Sequence, residues 1–173
     1  MWVGPLWVGP SWEEAPGDAI TVVIDPGRAF GTGSHPSTRL CLGFLVDVER
    51  GSLLDVGCGS GVLSVAAAKL GFAPVTAIDQ EEAAVETTVR NAEINGVAID
   101  ARLVDAVSGE LPAADVAVAN IDLAVVGELG ERVRARTLIT AGYFHSRMPE
   151  IAGYAHVERR VDGGWAADRF RRQ

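Results

Sequence analysis

The chain has 173 residues, of which 48% are hydrophobic, and it carries a formal net charge of −8 at pH 7. This length is enough for one domain with its own core. Because the chain is acidic, it offers no basic surface for phosphates, and direct binding to nucleic acid is not expected. With only two cysteines and three histidines, neither a disulfide framework nor a structural zinc site is expected. Because the chain has neither a membrane-length apolar stretch nor a signal-peptide pattern, we expect a cytoplasmic protein.

The charge is unevenly spread along the chain. Residues 1–126 hold six basic and seventeen acidic side chains, whereas residues 127–173 hold nine basic and six acidic ones. Opposite charges steer encounters between proteins, so the acidic part is suited to a basic protein substrate.

The N-terminal third is predicted to contain a lead-in segment, one strand and one helix. Residues 1–19 contain the tetrapeptide Trp-Val-Gly-Pro twice and are predicted to form an extended lead-in, so the domain itself is expected to span residues 20–173. A β-branched run at 20–24 predicts the first strand. A glycine-rich loop at 28–34 then separates this strand from a helix at 36–48 that begins with proline.

Strands and helices alternate regularly through the rest of the chain. The predicted strands are 52–56, 75–79, 100–104, 115–119 and 137–141, and the helices between them are 61–70, 81–94 and 122–135. Short βαβ units of this kind predict a parallel sheet covered by helices. A short helix near 146–153 and two strands at 155–161 and 165–170 follow, joined by a Gly-Gly turn. The predicted fold class is therefore α/β and Rossmann-like, with a mostly parallel seven-stranded sheet that ends in an antiparallel hairpin.

The most informative motif is the run Leu53-Leu54-Asp55-Val56-Gly57-Cys58-Gly59-Ser60-Gly61. Its glycines let the backbone turn tightly and let a ligand approach closely, and the helix that follows offers unpaired N–H groups. Asp79 ends the next strand, 22 residues after Gly57, where an acid can accept hydrogen bonds from ribose hydroxyls. The G-x-G-x-G spacing differs from the G-x-G-x-x-G of dinucleotide-binding proteins and so disfavours a nicotinamide-dependent oxidoreductase.

An acid, G-x-G-x-G and a second-strand acid resemble the S-adenosylmethionine site of class I methyltransferases. Residues 25–42, DPGRAFGTGSHPSTRLCL, are similar to the signature that precedes this site in the ribosomal protein L11 methyltransferases. Residues 53–70, 77–97 and 118–121 resemble the same family, and the resemblance covers about residues 8–125. It implies a class I methyltransferase fold, S-adenosylmethionine as cofactor and a protein substrate.

The resemblance also implies a set of site residues. The family's cofactor contacts fall on Thr38, Gly57, Asp79 and Asn120, and Asp105 after the third strand is expected to reach the adenine amine. Asn120 is the candidate catalytic residue, because it ends a parallel strand with both a donor and an acceptor. With the rest of the glycine motif, the predicted cofactor-binding set is Thr38, Asp55, Gly57, Gly59, Gly61, Asp79, Asp105 and Asn120.

Several of these residues have simpler explanations. His35 is near the cofactor loop and titrates near neutrality, so it is a candidate general base, but it could equally cap or pack at the start of its helix. Thr38 could be a helix cap and Asn120 a turn or cap residue.

The acceptor is less well defined than the cofactor. The family has an N-terminal substrate-recognition domain for which these 173 residues have no room, and Arg132 to Arg136 stand where the family carries a Pro-Gly-Gly turn. The predicted function is N-methylation of a protein amine, either lysine or an N-terminus. The alternatives are a small-molecule methyltransferase on the same domain and a non-catalytic S-adenosylmethionine-binding partner protein.

Overall fold

The computed structural model describes residues 1–15, 17–25 and 34–173, so most of the predicted glycine-rich loop lies outside the described residues. The strands in this part of the chain are β1 (Trp2–Val3), β2 (Leu6–Gly9), β3 (Ile20–Val23), β4 (Leu53–Val56), β5 (Val75–Asp79), β6 (Asp100–Leu103), β7 (Ala114–Asn120), β8 (Ala135–Phe144), β9 (Tyr154–Asp162) and β10 (Trp165–Arg172). The helices are α1 (Pro36–Asp47), α2 (Val62–Leu70), α3 (Glu82–Asn95) and α4 (Leu123–Glu128).

Seven strands form one sheet in the order β6-β5-β4-β7-β8-β10-β9. Strands β6, β5, β4, β7 and β8 are parallel, whereas β10 is antiparallel to both of its neighbours. The predicted fold class is therefore confirmed. Because the strand order reverses at β4, the carboxyl ends of β4, β5 and β7 lie side by side at the edge where open α/β sheets bind their ligands.

The sheet separates two hydrophobic clusters, and successive residues of β4 enter opposite ones. Leu53 packs with α1 and α2, including Leu42 and Val65, whereas Leu54 packs on the other face with Val126 of α4. The side chains of a strand alternate between faces, so a strand that is buried on both sides is mostly apolar, as β4 is apart from Asp55. This burial fixes β4, and with it the loop that follows, in the middle of the molecule.

The first strands form a second, three-stranded sheet in the order β1-β2-β3. Strand β2 is parallel to β3, and Leu6, Val8 and Val22 are buried in the same cluster as α1 and α2. The lead-in is thus extended, and it pairs with the strand that follows the expected boundary. The division of the chain at residue 19 stays a prediction.

The helix ends follow their turn residues. Pro36 occupies the first turn of α1, and α2 and α3 end at Gly71 and Gly96, which are both left-handed at φ +96° and +63°. No helix in the described ranges is long and apolar enough to cross a membrane.

One predicted helix is too long, and another does not form in the described structure. The helix expected at 122–135 ends at Glu128, because Gly130 then lies tightly against the backbone of Ala152 and the chain turns. No helix forms near 146–153 in the described structure. Pro149 has no backbone N–H to donate within a helix, and Arg159 instead binds carbonyl oxygens at the start of this segment.

Candidate functional site

A cavity of about 510 Å³ opens at the carboxyl ends of β4, β5 and β7. This volume is in the range of small-molecule sites. Six residues of the predicted cofactor set line it, namely Thr38, Gly57, Gly59, Asp79, Asp105 and Asn120. The structure therefore brings together side chains that are up to 82 residues apart in the sequence.

The floor of the cavity is the bare backbone after β4. Gly57 has φ +73°, and its amide donates to the carbonyl of Ile78 over 2.9 Å. A Cβ atom added to Gly57 would lie only 2.4 Å from Cγ2 of Ile121. The position therefore requires glycine both for its left-handed conformation and for the narrow space in front of β7.

Asp79 is held across the cavity by the backbone. Its Oδ2 accepts a hydrogen bond from the amide of Gly59, and its Oδ1 accepts one from the amide of Glu81, each over 3.0 Å. Each carboxylate oxygen can accept a second hydrogen bond. Asp79 is thus oriented and still able to accept from two hydroxyl groups of a ligand.

Asn120 and Thr38 contact each other at the opposite side of the cavity. The Nδ2 of Asn120 donates to Oγ1 of Thr38 over 3.3 Å, which ties the end of β7 to the first turn of α1. The carboxamide oxygen of Asn120 has no hydrogen-bond partner among the described residues, so it can accept one from a ligand.

The cavity is acidic. Asp79, Glu81, Asp105 and Asp122 line it, and no lysine, arginine or histidine does among the residues described. Hydrogen bonds from the Val107 amide and the Ser108 hydroxyl lower the pKa of Asp105, so it is ionised at neutral pH. Such a lining favours a cationic ligand.

Asp55 and Gly61, the other two predicted residues, lie behind the cavity wall. Asp55 is 1% exposed, and its Oδ2 accepts a 2.5 Å hydrogen bond from Ser64 of α2. Burial raises the pKa of Asp55 to about 6, against the lowering effect of its hydrogen bonds with Ser64. Its Oδ1 has no partner among the described residues. Gly61 serves helix packing, because a Cβ there would lie 2.9 Å from the Thr88 side chain.

His35 lies outside the cavity lining. Its Nδ1 accepts a 3.3 Å hydrogen bond from the Ser37 amide and lies 2.7 Å from the Ser37 hydroxyl, so it caps α1. The ring also packs edge-on against Trp165, with centroids 4.5 Å apart. These contacts give His35 the capping and packing role rather than a position beside the cofactor cavity.

The model of the family described as ribosomal protein L11 methyltransferase (PrmA) matches residues 1–168. The chain belongs to this family. The resemblance inferred from the sequence is thereby confirmed.

Individual L11 methyltransferases show how much of the family the chain covers. It is 42% identical over 180 residues to the ribosomal protein L11 methyltransferase of Neisseria gonorrhoeae, which covers 96% of this chain and 58% of that relative. With the Bordetella parapertussis relative it shares 52% identity over 112 residues, which is 62% of this chain and 35% of that one. The aligned part of the chain thus spans 35% to 58% of the length of these relatives.

A solved structure from the L11 methyltransferase family has the same architecture over its whole length. The crystal structure of ribosomal protein L11 methylase from Lactobacillus delbrueckii subsp. bulgaricus superposes with a TM-score of 0.83 at 26% identity. The match covers 98% of this chain and 96% of that one.

Sequence reasoning missed two acidic side chains in the cavity. Glu81 follows Asp79 at the start of α3, and Asp122 caps α4 by accepting from the Ala124 amide over 2.8 Å. Each lies two residues after a strand end that already carried a predicted site residue. That proximity was the available signal, but helix-capping acids in the same places have an ordinary structural use.

Proposed function

We propose that this domain binds S-adenosylmethionine and directs its methyl group to an amine of a protein substrate. The observation that carries the proposal is the acidic cavity, with a bare glycine floor on one side and the Asn120–Thr38 pair on the other. Membership of the ribosomal protein L11 methyltransferase family supports the same reaction.

The residues present fit this cofactor. Its sulfonium and α-ammonium groups are cationic at neutral pH, and four carboxylates surround the cavity without a basic side chain in the described lining. A dinucleotide would instead place a pyrophosphate against these carboxylates, and like charges repel.

Each side chain has a role that follows from its position. Asp79 accepts hydrogen bonds from the ribose hydroxyls, and Asp105 accepts one from the adenine amine. Gly57 and Gly59 let the methionine part of the ligand approach the backbone. When bound, S-adenosylmethionine supplies an electrophilic methyl group on a good leaving group, so the protein's main contribution is alignment and exclusion of water.

The acceptor is proposed to be a neutral amine at the Asn120 side of the cavity. The Asn120 oxygen accepts a hydrogen bond from the amine, while Thr38 holds the carboxamide in place over 3.3 Å. Asp122 attracts the amine in its protonated form, which gives its proton to water before the reaction. The nitrogen lone pair then forms the N–C bond to the methyl group as the C–S bond breaks and S-adenosylhomocysteine leaves. The relatives' names make ribosomal protein L11 the first substrate to test, and a ribosomal protein would place the reaction in the cytoplasm.

A transfer assay tests the proposal. The purified chain is incubated with methyl-labelled S-adenosylmethionine and purified bacterial ribosomal protein L11, with Asn120→Ala as the matched variant. Label on the L11 band that falls at least about 100-fold in the variant supports the proposal. In a second incubation a bacterial lysate replaces L11, and label that appears only in small molecules there overturns the protein substrate. Calorimetry that finds no S-adenosylmethionine binding overturns the proposal as a whole.

A further inference from the structure

Two asparagine side chains of α3 cover the open edge of β3 as a neighbouring strand would. Asn95 accepts from the amide of Val23 over 2.9 Å and donates to its carbonyl over 2.6 Å. One helical turn earlier, Asn91 accepts from the amide of Asp25 over 3.0 Å and donates to its carbonyl over 3.1 Å. A carboxamide presents one donor and one acceptor side by side, as a peptide group does, so the pair satisfies alternate residues along the edge.

Asn91 also reaches the glycine motif. Its second Nδ2 hydrogen is donated to the carbonyl of Ser60 over 2.8 Å, and its side chain is 0% exposed. Ser60 lies between Gly59 and Gly61 and itself lines the cavity. One buried side chain therefore fixes both Asp25, two residues beyond β3, and the carbonyl of Ser60 in the glycine motif.

We propose that Asn91 is a positioning residue that sets the shape of the cofactor loop at Ser60. The inference rests on the proposed function, because its consequence is measured as cofactor affinity. The loop has three left-handed glycines in five residues, so its backbone has little conformational preference of its own. A hydrogen bond from a rigid helix supplies the restraint that glycine lacks. Asn91 is not among the residues that line the cavity and acts through Ser60.

Asn95 provides a matched control inside the same helix. It makes the same peptide-like pair with β3, but its remaining hydrogen goes to the carbonyl of Asn91 over 2.7 Å and not to the glycine loop. It is also buried, at 8% exposure. Loss of either amide group should destabilise the β3 edge, while only loss at Asn91 should release the loop.

The experiment compares Asn91→Asp with Asn95→Asp, each of which replaces the NH₂ donor by a carboxylate oxygen. Calorimetry with S-adenosylhomocysteine is expected to show Kd raised about tenfold or more by Asn91→Asp and less than about threefold by Asn95→Asp, although both lower the melting temperature. Asn91→Ala and Asn95→Ala provide a second pair if the carboxylate prevents folding. Equal effects on Kd within a pair would overturn the proposal.

Hydrogen–deuterium exchange of the peptide that contains residues 57–61 gives a second readout without ligand. We expect faster exchange there in the Asn91 variant than in the Asn95 variant. If the unaltered chain binds no S-adenosylhomocysteine, the proposed function fails, while the exchange comparison still decides whether Asn91 shapes the loop. Unchanged exchange of residues 57–61 in both variants would contradict the positioning role of Asn91.

Discussion

Carboxylates have opposite surroundings in the antiparallel part of the seven-stranded sheet and at the cavity that follows β4, β5 and β7. In the antiparallel part, Asp168 of β10 is fully buried and accepts from Arg159, His156 and Tyr143 over 2.7–2.9 Å. At the cavity, Asp79 and Asp105 accept only backbone amides and a hydroxyl, and no described salt bridge involves them. The paired acid in the antiparallel part stabilises the fold, whereas Asp79 and Asp105 have no salt-bridge partner among the described residues and can accept further hydrogen bonds from a ligand.

The pairing has an electrostatic signature at the antiparallel end. Burial alone would raise the pKa of Asp168, but hydrogen bonds from Arg159, Tyr143 and His156 outweigh it and hold this pKa below its ordinary value. Arg159 also donates to the carbonyls of His145 and Arg147 and so fixes the segment after β8. The network therefore stabilises the hairpin, and we expect its loss to affect folding rather than cofactor affinity.

The largest expected effect comes from filling the cavity floor. In Gly57→Val, the new side chain collides with Ile121 and the left-handed backbone is strained, so S-adenosylhomocysteine binding should fall by more than about 1,000-fold in calorimetry. Gly96→Val is the control, since Gly96 has a similar φ of +63° but no atom within 4 Å of an added Cβ. Tight binding by Gly57→Val would show that the backbone at Gly57 is not part of the binding site.

The next effect tests the paired end. Asp168→Ala leaves Arg159 partly buried without its partner, so the free energy of unfolding in urea should fall by about 3–5 kcal/mol. Asp162→Ala breaks the half-exposed pair with Arg39 and should cost at most about 1 kcal/mol. Neither change should alter the Kd for S-adenosylhomocysteine by more than about threefold. A large loss of affinity in Asp168→Ala would contradict the division of roles.

Removing the cavity acid should weaken binding without a comparable loss of stability. In the proposed function Asp79 accepts two charge-assisted hydrogen bonds from ribose, so Asp79→Ala should weaken S-adenosylhomocysteine binding by about 2–4 kcal/mol in a calorimetric titration. Asp115 is a matched control, because it also accepts a backbone amide, from Ser52 over 2.9 Å, but lies at the opposite edge of the sheet. Unchanged affinity for S-adenosylhomocysteine in Asp79→Ala would show that Asp79 does not bind the ligand.

The smallest expected effect concerns the buried acid behind the floor. The pKa of Asp55 is about 6 in the folded chain and near 4 when unfolded, so its ionisation lowers stability as pH rises from about 4 through 6. Asp55→Asn should therefore gain about 1–3 kcal/mol of unfolding free energy over the unaltered chain at pH 8 and lose this advantage at pH 4. The comparison is made by urea unfolding at both pH values.

Asp115→Asn gives the reference for this pH series. Hydrogen bonds from Ser52 lower the pKa of Asp115, so its ionised form stabilises the fold and the trend with pH should have the opposite sign. A pH-independent difference between Asp55→Asn and the unaltered chain would show that Asp55 titrates normally.

Much of the parallel part of the sheet could be predicted because its signals are local. Strand β5 begins and ends where its apolar run does, and the glycine motif after β4 marks the strand-to-helix turn. The irregular segment at 145–153 could not be predicted in this way. Its first carbonyl oxygens accept hydrogen bonds from Arg159, a residue that comes later in the chain, and not from a helix of their own. Contacts between distant parts of the chain decided that case.

The candidate site was predictable to a similar degree. The ends of parallel strands place Gly57, Asp79 and Asn120 together once the strand order is known. Asp55 shares the motif, but its side chain is covered by Ser64 from the next helix, which strand periodicity does not reveal. The polar residues Asn91 and Asn95 at buried positions of α3 gave a signal of their own, since a core-facing amide needs partners.

The small N-terminal sheet has a practical consequence for work with shortened chains. Leu6, Trp7 and Val8 are buried, and β2 supplies the parallel neighbour of β3. A protein truncated to start at residue 20 would expose the unpaired edge of β3 and a hydrophobic patch over α1 and α2, both of which promote self-association. Preparations that retain the first nine residues should stay monodisperse where truncated ones precipitate.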